Sequence, residues 1–225
     1  MESKETKYSL PNIYLYYANI IDYIRIIFSA YAFCISRKYP IVFIILYFSS
    51  FALDMVDGDV ARAAGQTSKL GATLDMVTDR ISTAGLLCIL GSFYLDYAHI
   101  FCLLMMLDVG SHWLQTHSSM LFNPKNDNHK NLKEKFALLQ FYYKNRNFLG
   151  LNCIGAEVFL LSLYFGHFYE NLFDNLFFKT FLYISGAIYC LKQFISVLQI
   201  LGAADRIKKV DENEYIEKHQ NKKSQ

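Results

Sequence analysis

The chain has 225 residues and a mass of 26.1 kDa, with 53% apolar, 16% aromatic and only 19% charged residues. An ordinary soluble domain carries about 25% charge, so this composition excludes a disordered chain, a nucleic-acid-binding arm and a collagen-like chain. The apolar and aromatic content and the mean hydropathy of +0.18 favour a polytopic membrane protein that has a lipid bilayer, and no nucleic acid, as its partner, whereas the net charge of +2 alone says little about partners. The five cysteines are odd in number and widely spaced, which argues against a disulfide framework.

Six apolar segments are long enough to cross a bilayer as helices, because the hydrocarbon core requires about 20 residues. They cover residues 19–36, 40–64, 70–95, 98–122, 148–168 and 176–203. The three prolines lie at or outside the segment edges, where they do not break a helix. The sequence therefore predicts an all-α integral membrane protein with six transmembrane helices, in a domain of residues 19–204.

The connections between the segments predict an orientation, since Lys and Arg in short connections favour the cytosolic side. Cations gather in the second-to-third connection, in the fourth-to-fifth connection and in the C-terminal tail, and only Arg37 and Lys38 dissent. With an even number of spans, both termini are expected in the cytosol.

The two ends of the chain are expected to lie outside the helical domain. Residues 1–18 read as a cytosolic leader followed by an interfacial helix near residues 10–17, where tyrosines suit the headgroup layer. Residues 205–225 form a charged cytosolic tail, predicted to be either a helical extension or disordered. Its last four residues, KKSQ, are similar to a dilysine signal for the endoplasmic reticulum membrane.

Ionisable residues within spans are costly and are therefore candidates for function. Asp54 and Asp57 are spaced i, i+3 near the end of the second segment, and Asp75 and Asp79 are spaced i, i+4 near the start of the third. Each pair shares a helix face, and a short turn would bring the four carboxylates together near the cytosolic surface. Carboxylates so close require a cation, and Mg²⁺ or Mn²⁺ suits oxygen ligands. We expect two ions, which would form a clamp for a displacement at phosphorus.

Small residues and a cation accompany these carboxylates. Gly58, Ala61 and Gly71 would let a backbone or a ligand approach closely, and Arg62 could donate bidentate hydrogen bonds to a diphosphate. The alternative is that the carboxylates form solvated ion pairs with nearby Arg and Lys side chains. A calcium-binding loop is excluded, because its D-x-D-x-D-G spacing is absent.

The pattern D-x-x-D-G-x-x-A-R-x8-G-x3-D-x3-D resembles the signature of the CDP-alcohol phosphatidyltransferase family. Every fixed position of that signature is met, by Asp54, Asp57, Gly58, Ala61, Arg62, Gly71, Asp75 and Asp79. NIIDYIRI at residues 19–26 resembles the N-x5-R element of the family. The segments LDVGSHWLQTHSS at residues 107–119 and LKQFISVLQILGAADR at residues 191–206 are similar to those of the eukaryotic phosphatidylinositol synthases within that family.

The resemblance implies a substrate pair and a set of residue roles. The donor would be CDP-diacylglycerol, the acceptor myo-inositol, and the enzyme a homodimer in the endoplasmic reticulum membrane with its active site at the cytosolic face. The four aspartates would hold the metal ions, and Asp79 would be the general base. Nucleotide and diphosphate contacts would come from Asn19, Arg25, Asp57, Gly58, Ala61, Arg62 and Gly71. Inositol would contact Arg146, with Lys130 and His129 as further candidates, although Arg146 and Lys130 could instead be headgroup or positive-inside charges.

Three other functions compete with this interpretation. A transferase of the same family could use another acceptor, such as glycerol phosphate or serine. A magnesium-dependent prenyltransferase also uses aspartates, but it requires a denser N-D-x-x-D-x-x-x-D motif. A divalent-cation transporter would be expected to repeat the acidic pattern in its second half, and the sequence contains no such repeat.

Overall fold

The computed structural model of the chain describes residues 12–121 and 136–223, and within these ranges every regular element is helical. The α-helices are α1 (Tyr17–Ile35), α2 (Pro40–Ala63), α3 (Lys69–Phe93), α4 (Ala98–Leu121), α5 (Ala137–Lys144), α6 (Arg146–Phe168) and α7 (Leu176–Lys223). Short 3₁₀ turns cover Ile13–Leu15, Leu95–Tyr97 and Glu170–Asp174. The all-α prediction is therefore confirmed for the described residues.

In the part of the chain that the structure describes, five helices are long and apolar enough to cross a membrane, namely α1, α2, α3, α6 and α7. Helix α4 is also long, but Asp108, His112, Gln115 and His117 interrupt its apolar sequence. A multi-pass membrane protein is supported, whereas the sixth span and the cytosolic termini stay predictions.

Both ends of the described chain contain helical structure. Helix α1 begins at Tyr17 after the 3₁₀ turn, so the described part of the expected interfacial helix is a single turn. Residues 1–11 and the last two residues of the KKSQ tetrapeptide lie outside the described residues. Helix α7 continues for 48 residues, and the i, i+4 ion pairs Lys209–Asp205 and Lys208–Glu212, at 3.0 and 3.3 Å, support its polar end. Of the two predictions for the tail, the helical extension is the one observed.

The described chain forms two compact units, one up to Ser82 and one from Thr83 onward, with the boundary inside α3. In the first unit α1 packs along α2, and Phe43 and Tyr47 are buried against Phe33. The hydroxyls of Ser29 and Ser50 lie 3.1 Å apart, because small polar side chains let the two helices approach closely. This close approach sets the position of the residues one turn further along.

The turn between α2 and α3 follows from its sequence. Helix α2 ends in a Schellman motif, in which Gln66 N–H donates to Ala61 C=O at 2.9 Å and Gly65 N–H to Arg62 C=O at 3.2 Å. Gly65 has a φ of 64°, which a residue without a Cβ adopts at no steric cost. Ser68 then caps α3, since its Oγ accepts from Gly71 N–H at 2.9 Å. The predicted antiparallel turn is therefore present.

The second unit is a helical assembly in which α4 and α6 pack against α7. A Cβ at Gly155 would lie 2.6 Å from the side chain of Ile188, so this contact requires glycine. Helix α5, which the sequence analysis did not predict, buries Leu139 and Tyr142 against Ile195.

Candidate active site

Three helices of the first unit bring five aspartates together around one arginine. Helix α2 supplies the predicted Asp54 and Asp57, α3 supplies Asp75 and Asp79, and α1 adds Asp22. The guanidinium of Arg25, also on α1, contacts all five carboxylates. We call Asp22, Asp54, Asp57, Asp75 and Asp79 the acidic cluster.

The guanidinium divides the acidic cluster between its two terminal nitrogens. Nη1 lies 2.8 Å from Asp22, 2.8 Å from Asp57 and 3.1 Å from Asp75. Nη2 contacts Asp54 and Asp79. Arg80 approaches the other oxygen of Asp79, at 3.4 Å. Positive charge thus lies among the carboxylates, but there is much less of it than negative charge.

The acidic cluster has an inner and an outer part. Asp22 and Asp57 are buried beside Arg25, which is 2% exposed. The side chains of Asp54, Asp75 and Asp79 are 27%, 45% and 31% exposed. The outer carboxylates are therefore the ones that a molecule outside the helices can reach.

The donor atoms fit a metal site. Among the described residues, two groups of three carboxylates have ligand oxygens within 4.8 Å of one another: Asp22, Asp57 and Asp75, and Asp54, Asp75 and Asp79. Asp75 belongs to both groups. All the donors are hard oxygens, which suits small divalent cations. The acidic cluster can hold metal ions on chemical grounds.

A cavity of about 210 Å³ adjoins the acidic cluster within the first unit. Its lining includes the inner carboxylates and most of the residues that the resemblance assigned to the nucleotide, namely Asn19, Asp57, Gly58, Ala61, Arg62 and Gly71. A Cβ at Gly71 would lie 2.9 Å from Asn19 Oδ1, so a larger residue would press on that side chain. Arg62 lines the cavity and pairs with Asp59 at the exposed surface. The motif glycines and alanine thus border an open space.

The structure brings together most of the site residues that the sequence suggested. Arg25, which the resemblance assigned to the nucleotide, lies among the carboxylates, and the nucleotide contact stays a prediction. Arg146 is the exposed first residue of α6 in the second unit. Lys130 and His129 lie outside the described residues.

Sequence reasoning missed two contributors to this site. Asp22 is spaced three residues from both Asn19 and Arg25, so all three share one face of α1, and this spacing was available as a signal. Gln66 Oε1 accepts from Tyr17 N–H at 3.0 Å and lines the cavity, which joins the α2–α3 turn to the start of α1. Nothing in the local pattern around Gln66 announces that long-range contact.

The polar side chains of the second unit form a separate set. Arg206 on α7 donates to Gln115 and, at 2.9 Å, to Ser118 on α4. Thr83 donates to Glu157 at 2.9 Å. Gln115, a polar residue of α4, therefore has a partner on another helix. The fourth-span His and Asp residues are absent from the candidate metal groups found among the described residues.

Comparison with known proteins gives a consistent result. Residues 15–143 match the sequence model of the CDP-alcohol phosphatidyltransferase family. The chain is 39% identical over 206 residues to the probable CDP-diacylglycerol–inositol 3-phosphatidyltransferase 2 of Arabidopsis thaliana, covering 86% of this chain and 90% of that protein.

Fungal and animal relatives carry the same activity in their names. The CDP-diacylglycerol–inositol 3-phosphatidyltransferase of Saccharomyces cerevisiae is 37% identical over 209 residues, or 91% of this chain and 92% of the yeast protein. The human protein of that name is 37% identical over 202 residues, or 89% of this chain and 94% of its own length. No solved structure matches the chain. With the family signature complete on α2 and α3 and the match extending over most of the sequence, the chain belongs to the CDP-alcohol phosphatidyltransferase family.

Proposed function

We propose that this chain transfers the phosphatidyl group of CDP-diacylglycerol to myo-inositol and releases CMP and phosphatidylinositol. The observation that carries the proposal is the acidic cluster, which lies beside a cavity lined by the glycines, alanine and arginine of the family signature. The relatives named for this reaction match over most of the chain, which supports inositol over glycerol phosphate or serine as the acceptor. Membership of the family also disfavours the prenyltransferase and the cation transporter.

The cavity of the first unit receives the nucleotide end of the donor, while the acyl chains stay in the bilayer. Gly58 and Ala61 leave the cavity open on the α2 side. Arg62 exchanges its exposed contact with Asp59 for the diphosphate, because a guanidinium donates two parallel hydrogen bonds to a phosphate. Asn19 is held by its own bond to Ile13 C=O, at 2.7 Å, and limits the cavity next to Gly71.

The acidic cluster would hold divalent cations, Mg²⁺ or Mn²⁺ and two in number, and Asp75 belongs to both candidate groups of ligands. When bound, such ions polarise the phosphoryl oxygens and stabilise the charge of the departing CMP. Asp54, Asp57, Asp75 and Asp79 are the predicted ligands, and Asp22 is the fifth carboxylate that the structure adds. The cluster lies next to the cavity, so the ligands and the diphosphate meet at one place.

Asp79 is the general base of the proposed reaction. It takes the proton of the inositol hydroxyl as the hydroxyl oxygen forms a bond to phosphorus and the bond from phosphorus to the CMP oxygen breaks. The side chain of Asp79 is 31% exposed, so an incoming hydroxyl can reach it. A base acts within about 2.6–3.2 Å of the proton donor, which an outer carboxylate of the cluster allows and the buried Asp57 does not.

Arg146 is the proposed inositol contact among the described residues, and Lys130 is a second that falls outside them. Inositol is uncharged and rich in hydroxyls, so a guanidinium would serve it as a hydrogen-bond donor. We expect Arg146→Ala to raise the apparent KM for inositol and to leave that for CDP-diacylglycerol unchanged. Steady-state kinetics with each substrate varied in turn measure both. An unchanged inositol KM removes Arg146 from the acceptor site.

The proposal includes a setting for the enzyme: a homodimer in the endoplasmic reticulum membrane, with both termini and the active site at the cytosolic face. The basic residues of the predicted cytosolic connections support this orientation. Protease protection of tagged termini in sealed microsomes tests it, and cross-linking in detergent tests the dimer.

The deciding experiment measures CMP release by the purified protein given CDP-diacylglycerol and Mg²⁺ or Mn²⁺. We expect release that depends on myo-inositol and on the metal, with phosphatidylinositol formed in equal amount. Glycerol phosphate and serine are the matched alternative acceptors. CMP release with one of these but not with inositol would show that the acceptor is wrong, while transfer of the phosphatidyl group from CDP-diacylglycerol would stand. Release with no acceptor but water would overturn the transferase.

A further inference from the structure

The position of Arg25 assigns it a role that the family signature on α2 and α3 does not contain. We propose that Arg25 is the internal counter-ion of the acidic cluster, and that it competes with divalent cations for the same carboxylate oxygens. In this role Arg25 offsets part of the repulsion among the five aspartates before metal ions bind and weakens the binding of those ions.

The hydrogen bonds of Arg25 are over-subscribed. Its Nη1 carries two hydrogens but has carboxylate oxygens of Asp22, Asp57 and Asp75 within 3.1 Å. Nη2 faces Asp54 and Asp79. The carboxylates therefore outnumber the terminal N–H groups that could satisfy them, and oxygen ligands remain for another cation.

The third nitrogen of the same guanidinium, Nε, has too few acceptors rather than too many. Arg25 Nε is buried and has no hydrogen-bond acceptor within the described residues. An unsatisfied buried N–H is costly. The side chain accepts this cost while its two ends are drawn to carboxylates on two sides. This geometry is that of a cation held by the surrounding charge rather than of a guanidinium shaped to one partner.

The charges lead to the same competition. Five carboxylates carry five formal negative charges, and Arg25 together with Arg80 supplies two positive ones. Three negative charges remain, so the cluster attracts further cations even with both arginines in place. Each candidate metal group includes Asp75, whose Oδ1 also accepts from Arg25. A divalent ion in either group would therefore bind a carboxylate that already accepts from Arg25.

The inference rests on the proposed function only in placing divalent ions at the acidic cluster. Two other roles for Arg25 are distinguishable from it. A nucleotide contact would leave metal affinity in the nucleotide-free protein unaffected by Arg25. A residue that organises the ligands for metal would make binding weaker when it is removed. Competition alone predicts tighter metal binding without Arg25.

The test is the affinity for Mn²⁺ of the purified, chelator-treated full chain in detergent, measured without nucleotide from the electron paramagnetic resonance signal of free Mn²⁺. We expect Arg25→Gln to bind Mn²⁺ at least about tenfold more tightly than the wild type, because one close repulsive charge is removed. Thermal unfolding gives a second readout. The metal-free variant should unfold at a lower temperature than the metal-free wild type. Adding Mn²⁺ should raise the unfolding temperature of the variant by more than it raises that of the wild type.

Two further variants make the result specific. Arg25→Lys keeps one charge on a compact ammonium that does not span both sides of the cluster, so its Mn²⁺ affinity should lie between those of the wild type and Arg25→Gln. Lys38→Gln removes an exposed cation of the first unit that lies over the Tyr39 ring, outside the proposed site, and its metal affinity should match the wild type. An effect of equal size in Lys38→Gln would mean that net charge, not the position of Arg25, is responsible, and would overturn the proposal.

The remaining outcomes are also decisive. Unchanged or weaker Mn²⁺ binding by Arg25→Gln, with wild-type binding intact, overturns the competition and leaves the proposed function standing. If Arg25→Gln cannot be purified, Arg25→Lys decides alone, and a wild-type affinity in that variant overturns the proposal. A wild-type protein that binds no Mn²⁺ overturns both this inference and the metal-dependent part of the proposed function.

Discussion

The two units of the chain place polar side chains inside helices in different ways. In the second unit, several buried or partly buried groups have definite partners: Thr83 with Glu157, Gln199 with Tyr143 at 2.8 Å, and Arg206 with Gln115. In the first unit, five carboxylates share one buried guanidinium. The pairs of the second unit match donors to acceptors, whereas the acidic cluster of the first unit leaves negative charge in excess.

This difference indicates that the polar pairs of the second unit stabilise the fold, whereas the acidic cluster of the first unit takes part in the chemistry. A polar pair between membrane helices contributes a modest stabilisation, about 0.6 kcal/mol on average, and asks for nothing else. An excess of carboxylates is unfavourable unless a cation compensates for it, so it persists where a cation or a cationic step is part of the function. We therefore expect substitutions in the acidic cluster to affect turnover and metal binding, and substitutions of the paired polar residues in the second unit to affect stability.

The largest effect is expected for Asp79→Asn. The amide keeps the shape of the side chain but cannot accept the hydroxyl proton, so kcat should fall by about 10²- to 10⁴-fold. Binding of the nucleotide, measured with CMP, should remain near that of the wild type. Glu157→Gln, which changes a buried acid of the second unit, is the matched control. Near wild-type turnover in Asp79→Asn would show that another group is the base.

Asp57→Asn should change the metal requirement as well as the rate. Asp57 is a buried member of the group formed with Asp22 and Asp75, so its loss removes a charged ligand from the inner part of the cluster. We expect the Mg²⁺ or Mn²⁺ concentration for half-maximal activity to rise by at least about tenfold, equivalent to about 1.4 kcal/mol. A metal titration of initial rates measures it. A lower rate with the wild-type metal dependence would place the ions elsewhere.

Gly71→Ala should damage the cavity rather than the acidic cluster. The added Cβ would lie 2.9 Å from Asn19 Oδ1, and Asn19 is tethered by its bond to Ile13. Overpacking of this kind costs about 1–3 kcal/mol, and we expect a higher KM for CDP-diacylglycerol together with a lower Tm. Gly150→Ala is the matched control, because a Cβ there has no neighbour within 4 Å among the described residues. Equal effects of the two variants would contradict the close packing at Gly71.

The smallest effect is expected in the second unit, for the pair formed by Arg206 and Gln115. A double-mutant cycle with Arg206→Ala and Gln115→Ala should give a coupling of about 0.6 kcal/mol and no more than about 1.7 kcal/mol. Thermal unfolding of the four proteins in one detergent measures it. A coupling of several kcal/mol would show that this pair does more than stabilise the packing of α4 against α7.

The sequence predicted much of this fold because its signals are local and periodic. The starts and ends of α1, α2, α3, α4 and α6 lie within two residues of the predicted segments. Asp54 with Asp57 and Asp75 with Asp79 could be placed on common faces from spacing alone. Helix α5 was missed because eight residues provide too little periodic pattern to stand out beside the long apolar helices.

The parts of the site that escaped prediction depend on contacts between distant segments. Arg25 is 32 residues from Asp57 and 54 from Asp79, and no helical period links those positions. Its place among the carboxylates depends on how closely α1 approaches α2, which the serines at positions 29 and 50 set. Asp22 entered the cluster by the same packing. A resemblance transfers residue names, but the partner of each side chain is decided by tertiary packing.

The most direct test of the central claim is the number of Mn²⁺ ions that the purified chain binds, compared with the number bound by Asp75→Asn. Asp75 is the carboxylate common to both candidate groups, and its partly exposed side chain tolerates an amide of the same shape. We predict about two ions per wild-type chain and weakened binding of both in the variant, with the Tm of the chelated proteins similar. Wild-type stoichiometry and affinity in Asp75→Asn would contradict the claim that the acidic cluster is the metal centre.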